Sequence, residues 1–287
     1  MKRFLGFENS VDDLTKAGAV IVPVPAEFTT SYGKGTALGP EAIIDASPYL
    51  EFYDDEIDFE VWRKGIYTAK PIQTDDSVAE LMKRVENEVG GYLAKKKFPL
   101  ILGGEHSISY AVHQAMLDVY PDLSVLQFDA HSDLRDSYEG SQFSHACVMR
   151  RIWEKNKRIT GVGIRSQSVE ERQFVIEERI PLYYASRLKG GEFPAEILDT
   201  LSEQVYITFD ADFFDPAIMP SVGTPEPGGF FWYETLSFIR KVFASKNVVG
   251  VDVVEFCPLK NLIHPDFLMA KFVYKLLGYK FYIEGND

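Results

Sequence analysis

Cysteine is scarce in this chain of 287 residues, with Cys147 and Cys257 the only two. Without a Cys-x-x-Cys pair they exclude a disulfide framework and a cysteine-built structural zinc site, and both are expected to be reduced. Long apolar runs are absent too. No stretch approaches the ~20 residues of a membrane span, and the N-terminus turns polar at Glu8-Asn9, too early for a secretory signal. The expectation is a soluble, cytoplasmic protein without a membrane partner. Positive charge is in deficit: 30 Lys and Arg stand against 43 Asp and Glu, a net charge of −13. That balance argues against nucleic acid as a partner and permits a cationic small molecule, although solubility alone would account for it.

What the chain has in abundance is hydrophobic residues, 46% of the total, grouped in short runs. Strand-like runs stand at 17–24, 98–102, 123–128, 159–164, 182–184, 205–209 and 248–254. Helical spacing occupies 41–47, 75–95, 108–119, 146–155, 165–178, 195–202, 232–244 and 266–277. Short strands alternating with helices imply a mostly parallel α/β sheet covered on both faces, and no linker or repeat divides residues 1–287 into more than one domain. The glycine-rich segment 29–40 reads as a loop; its Gly-Lys-Gly-Thr lacks phosphate-loop spacing.

Three of the apolar runs end in chemistry. Asp129-Ala130-His131-Ser132-Asp133 follows one, Asp210-Ala211-Asp212 another, and Gly103-Gly104-Glu105-His106 a third. In extended backbone, alternate residues point to one side, so Asp129, His131 and Asp133 can converge. A lone Asp-x-Asp after a strand is ordinarily a turn. Three of the five histidines, His106, His131 and His145, nevertheless fall at or just beyond these ends, where open α/β sheets bind ligands. Glu255 ends a further strand-like run. Two imidazoles and four carboxylates without a thiolate suit manganese better than structural zinc. Four converging carboxylates need about four compensating positive charges, which two divalent ions would supply, and a water between them would become a nucleophile.

These motifs, Gly103-Gly104-Glu105-His106-Ser107, Asp129-Ala130-His131-Ser132-Asp133 and Asp210-Ala211-Asp212-Phe213-Phe214-Asp215-Pro216, resemble those of the ureohydrolases, the family of arginase and agmatinase. The resemblance implies a three-layer α/β/α sandwich around an eight-stranded sheet. It implies two Mn²⁺ per chain, one held by His106, Asp129, Asp133 and Asp210 and the other by Asp129, His131, Asp210 and Asp212. It further implies urea release from a guanidino substrate, Glu255 binding the guanidinium, His145 moving the proton, and assembly as a homotrimer or homohexamer. Without it, Glu255 reads as a cap and His145 as an ordinary loop histidine.

The chain departs from the usual family pattern at three places, the last two bearing on the substrate. Glu105 stands where arginases have Asp, and Ser221-Val222 replaces a usual Gly-Thr ahead of the retained Gly223-Thr224-Pro225-Glu226-Pro227-Gly228-Gly229. The loop 134–145 lacks the Asn-containing sequence with which arginases hold a carboxylate and carries Asp136 and Glu139 instead. With Glu255 and Thr224, these two acids are taken as substrate-binding residues facing a cationic tail. Agmatine fits, giving putrescine and urea. N1-aminopropylagmatine, arginine or a guanidino acid is the alternative, the last if Arg165 faces the pocket. A one-zinc deacetylase and a catalytically idle relative are the readings from other classes.

Overall fold

The computed structural model describes residues 1–74, 77–188, 190 and 193–284. Ten strands and eight helices follow one another along the described chain. The strands are β1 (Ala19–Val24), β2 (Tyr53–Asp54), β3 (Phe59–Glu60), β4 (Ile66–Thr68), β5 (Phe98–Gly103), β6 (Ser124–Phe128), β7 (Ile159–Ile164), β8 (Leu182–Tyr184), β9 (Gln204–Asp210) and β10 (Asn247–Val254). The helices are α1 (Gly39–Ala46), α2 (Val78–Ala94), α3 (Ser109–Val119), α4 (Val148–Asn156), α5 (Val169–Glu178), α6 (Glu196–Asp199), α7 (Trp232–Ser245) and α8 (His264–Glu284).

Eight strands form one sheet in the order β4-β1-β5-β10-β9-β6-β7-β8, and every pairing in it is parallel. The α/β sandwich implied by the sequence is therefore the observed architecture. Strand alternation divides the core into two layers. Ile21, Leu100, Leu126, Ile207 and Val251 face the side covered by α1, α7 and α8. Val22, Ile101, Val125, Tyr206 and Val249 face the side covered by α2, α3 and α4. A sheet buried on both faces needs nearly continuous apolar strands, which is why those runs stood out in the sequence.

Most expected elements lie within two residues of their observed positions; α5 begins later, at Val169, α6 ends three residues earlier, at Asp199, and the two-residue strands β2 and β3 were not read from the sequence. The final helix runs from His264 to Glu284, well beyond residue 277, because α8 is buried along one side by residues such as Tyr274 and Tyr279. The edge strand β4 was not anticipated: three residues are too few to display a period. The start of the predicted 75–95 helix lies outside the described residues. In the observed helix, Ser77 caps α2 through a reciprocal pair with Glu80.

Because all eight strands run the same way, their carboxyl ends share one edge. The adjacent strands β5, β10, β9 and β6 lead directly into His106, Glu255, Asp210 and Asp129. The pairings Val254 with Asp210 and Phe128 with Phe209 bring these ends level.

Candidate metal centre

Convergence at this edge is achieved by bends as much as by strand alternation. Strand β6 stops at Phe128, and Asp133 adopts a left-handed conformation with φ 52°. The simple i, i+2, i+4 picture over 129–133 is thus corrected: the chain turns out of the sheet, and Asp133 is brought back by a backbone state unfavourable for a residue with a Cβ. That turn is held from outside, since the Asp133 carbonyl accepts from the amides of Met149 and Arg150 at the start of α4. Glu255 has φ 59° and is reached just as abruptly. Two site residues in this state show that tertiary contacts dictate their placement.

Among the described residues, two groups of potential ligands have donor atoms mutually within 4.8 Å: His106, Asp129 and Asp210, and Asp129, His131 and Asp212. Asp129 belongs to both. Asp210 falls only in the first, and one of its oxygens accepts the Asp212 amide at 2.8 Å. His106 Nδ1 lies 3.2, 3.1 and 3.4 Å from carboxylate oxygens of Asp129, Asp133 and Asp210, yet it is buried without a hydrogen bond to any. His131 Nδ1 is 2.8 Å from Asp212 Oδ2. Backbone donors complete the carboxylates: Ala130 N–H donates to Asp212, and His131 N–H to Asp129.

The orphaned Nδ1 of His106 can be explained from its other nitrogen. Nε2 is 2.8 Å from Thr208 Oγ1. The Thr208 hydroxyl donates to Asp252 Oδ1 at 2.7 Å, so its oxygen accepts from His106 Nε2–H. In the neutral ring, Nδ1 is thereby the nitrogen whose lone pair is aimed at the three carboxylates, the one free to ligate a metal ion. Asp252 also accepts from the Tyr206 hydroxyl. The sequence signal for this support was a polar residue inside an apolar run, in Val251-Asp252-Val253 and Ile207-Thr208-Phe209. Gln127, likewise inside a strand, donates to Asp129 at 2.8 Å.

The electrostatics show strong competition for protons. Burial would lower the pKa of His106, but the surrounding Asp129, Asp133 and Asp210 raise it well above the usual imidazole range. Burial, with Asp212 and Asp133 nearby, pushes Asp129 up to about 7. Burial opposes charge on His131 as well, but Asp212 carries it to about 11. Burial opposes ionisation of Asp212 also, yet His131 holds it at about 2. Glu255 is pushed up to about 8 by burial, with Glu105 adding to it. Protons are held where cations would otherwise compensate the charge. The donor set and the directed Nδ1 both fit divalent metal.

A cavity of about 240 Å³ opens onto this cluster, with His131, Asp133, Asp210, Asp212, His145, Thr224 and Glu255 in its lining. Its rim joins the glycine-rich segment to the Gly223-Thr224 turn. Gly33 N–H donates to the Gly223 carbonyl at 3.2 Å, and a side chain at Gly33 would meet that carbonyl. Glu255 is tied through Oε1 to the His106 amide at 2.7 Å.

Asp136 and Glu139 do not reach the cavity, which corrects their expected place at the substrate. Asp136 accepts from Arg151 at 2.7 Å, and Glu139 sits exposed in the tight Tyr138–Ser141 turn with φ 48°. The loop instead presents Arg135 and Tyr138 to the cavity. Arg135 lies 3.8 Å from Glu171, so its charge is partly compensated in place. Arg165 is committed to backbone carbonyls, including those of Asp212 and Glu226, and is not in the lining.

Comparison with known proteins agrees with this geometry. The model for the arginase family matches residues 17–278. The N(1)-aminopropylagmatine ureohydrolase of Synechocystis sp. is 38% identical over 97% of this chain and 94% of its own. The agmatinase of Bacillus cereus is 36% identical, covering 94% of each. The solved agmatine ureohydrolase of Thermoplasma volcanium superposes with a TM-score of 0.91 at 30% identity, over 100% of this chain and 96% of that one. Shared sequence along nearly the whole chain, and a shared fold with the motif residues gathered at one strand edge, place this protein in the arginase family, as a ureohydrolase acting on guanidino groups.

Proposed function

We propose that this chain cleaves the guanidinium of agmatine, or of its N1-aminopropyl derivative, with water, releasing urea and the corresponding amine. The observation that carries the reading is the gathering of six potential ligands at one strand edge, four of which, His131, Asp133, Asp210 and Asp212, line one small cavity with Glu255 and His145. The acidic cavity favours a cationic guanidinium over an anion, and the partly compensated charge of Arg135 does not mark an anion site. The aminopropyl substrate is the second reading, favoured by the name of the Synechocystis relative.

His106, Asp129, Asp133 and Asp210 would hold one Mn²⁺, and Asp129, His131, Asp210 and Asp212 the other. When bound, the ions supply positive charge and acidify water, the chemistry an inert guanidinium requires. The chain's own residues do the rest. Glu255 accepts paired hydrogen bonds from the planar guanidinium and presents its carbon to the cluster. Its pKa near 8 would fall when a cation binds beside it. Thr224 borders the same space. His145 donates a proton to the departing amine nitrogen, which must not leave as an amide anion. Assembly as a homotrimer or homohexamer is part of the proposal, supported by the exposed Tyr49, Tyr233, Ile263 and Phe267.

Urea release from manganese-loaded protein tests the reading, with agmatine, N1-aminopropylagmatine, arginine and 4-guanidinobutyrate compared directly. Preference for either of the first two is expected. Preference for arginine or guanidinobutyrate would overturn the cationic tail, and no urea from any would overturn the function.

A further inference from the structure

The imidazole of His145 is held by a second chain of contacts that none of the motif readings includes. Glu105, fully buried at the end of β5, lies beside the loop that leaves β1. Gly104 and Glu105 donate backbone N–H groups to the carbonyls of Val24 and Ala26, each at 2.9 Å. The approach is so close that a side chain at Gly104 would overlap the Ala26 carbonyl. The Glu105 carboxylate then organises the loop. Its Oε2 accepts the amides of Phe28 at 2.9 Å and Thr29 at 2.6 Å, while Oε1 accepts from Ser107. Thr29, fixed in this way, meets His145 twice. Its Oγ1 accepts the His145 backbone N–H at 3.0 Å and stands 3.1 Å from His145 Nδ1.

A threonine oxygen that already accepts from the backbone still has its own proton to give. Directed at Nδ1, with the Ser144 hydroxyl 3.3 Å from the same nitrogen, that proton makes Nδ1 the acceptor and leaves the ring hydrogen on Nε2. Among the described residues Nε2 has no hydrogen-bond partner, and the ring lines the cavity. The Tyr138 ring packs edge-on against it, with centroids 5.8 Å apart, and restricts its rotation.

We propose that Thr29 and Glu105 are positioning residues for His145. Glu105 fixes the Phe28-Thr29 backbone, and the Thr29 hydroxyl holds the imidazole in the tautomer that carries its proton on Nε2. The same proposal accounts for Glu at position 105: its carboxylate spans from Ser107 to two amides of the neighbouring loop. Its catalytic consequence rests on His145 being the proton donor, whereas the tautomer does not. With Nε2 directed at the cavity, the ring gives its Nε2 proton as an imidazolium, after Nδ1 has taken a proton from water, and is left as neutral imidazole.

The test uses metal-free protein labelled with ¹⁵N in its histidines, the His145 signals being assigned by their loss in His145→Ala. The wild type is expected to show a protonated Nε2 and unprotonated Nδ1. Thr29→Val should mix the tautomers and Thr29→Ser restore them, with Glu105→Gln shifting them in the same sense as Thr29→Val. In manganese-loaded enzyme, Thr29→Val should lower kcat at least about tenfold, as a misdirected imidazole proton does, with KM and metal content unchanged. A wild-type tautomer in Thr29→Val would overturn the proposal, and one in Glu105→Gln alone would remove Glu105 from it. A fully active His145→Ala would instead overturn the donor role of His145, leaving the tautomer result to stand by itself.

Discussion

His106 Nε2 and Thr208 Oγ1 are 2.8 Å apart, and that contact decides which nitrogen of the imidazole faces the carboxylates. Substituting Thr208 by valine removes the acceptor of the Nε2 proton and allows the ring to carry its proton on Nδ1. The expected result is a 10- to 100-fold rise in the manganese Kd, roughly the usual effect of losing such a support. Thr208→Ser should retain near-normal affinity. Titration of metal-free protein with Mn²⁺ checks both, and equal affinity in wild type and Thr208→Val would refute the role.

Asp129 is the residue common to both ligand groups. Asp129→Asn should lose bound metal and urea release together, and Asp210→Asn is expected to behave alike. Metal analysis after gel filtration, read beside turnover, is the check.

Metal must also displace protons. With Asp129 near 7 and His131 near 11 in the metal-free protein, loading should release protons and weaken as pH falls below about 11, more steeply below about 7. Calorimetric titrations in two buffers of different ionisation enthalpy would give different apparent heats. Identical heats would mean that no net proton is released.

His113, outside the cavity lining, sets an acid limit on stability. It is fully buried, and burial, with Lys155 adding to it, lowers its pKa to about 4. Between that value and the unfolded ~6.5, the unfolded chain binds more protons. Stability should therefore be complete above pH ~6.5 and fall by about 3 kcal/mol as pH drops to ~4. Denaturant unfolding of wild type and His113→Gln across this range should show a flatter profile in the variant.

Lys275 Nζ lies 2.8 Å from Asp54 and 2.5 Å from Glu56, with Lys275 and Asp54 both buried. Lys275→Met leaves Asp54 without its counter-charge, and breaking a buried pair costs about 3–5 kcal/mol. The midpoint of denaturant unfolding should drop accordingly, while manganese affinity should stay the same because the pair lies outside the cavity lining.

The local sequence determined the seven longer or better-patterned strands, most helices and the motifs that carry the candidate ligands. Buried parallel strands must be apolar throughout, and residues at their ends stand out against that background. Resemblance to the ureohydrolases added the eight-stranded sheet and the roles proposed for Glu255 and His145, which spacing alone left open. Only the tertiary structure decided where loop side chains go. Asp136 turned to Arg151 and Glu139 to solvent, because a two-residue turn and a neighbouring helix control them, not their own chemistry. It also decided the supports: Thr208 is 102 residues from His106, and Thr29 is 116 from His145. Hydrogen bonds across such separations exist only once parallel strands have brought their ends together, and no periodicity in the chain records them.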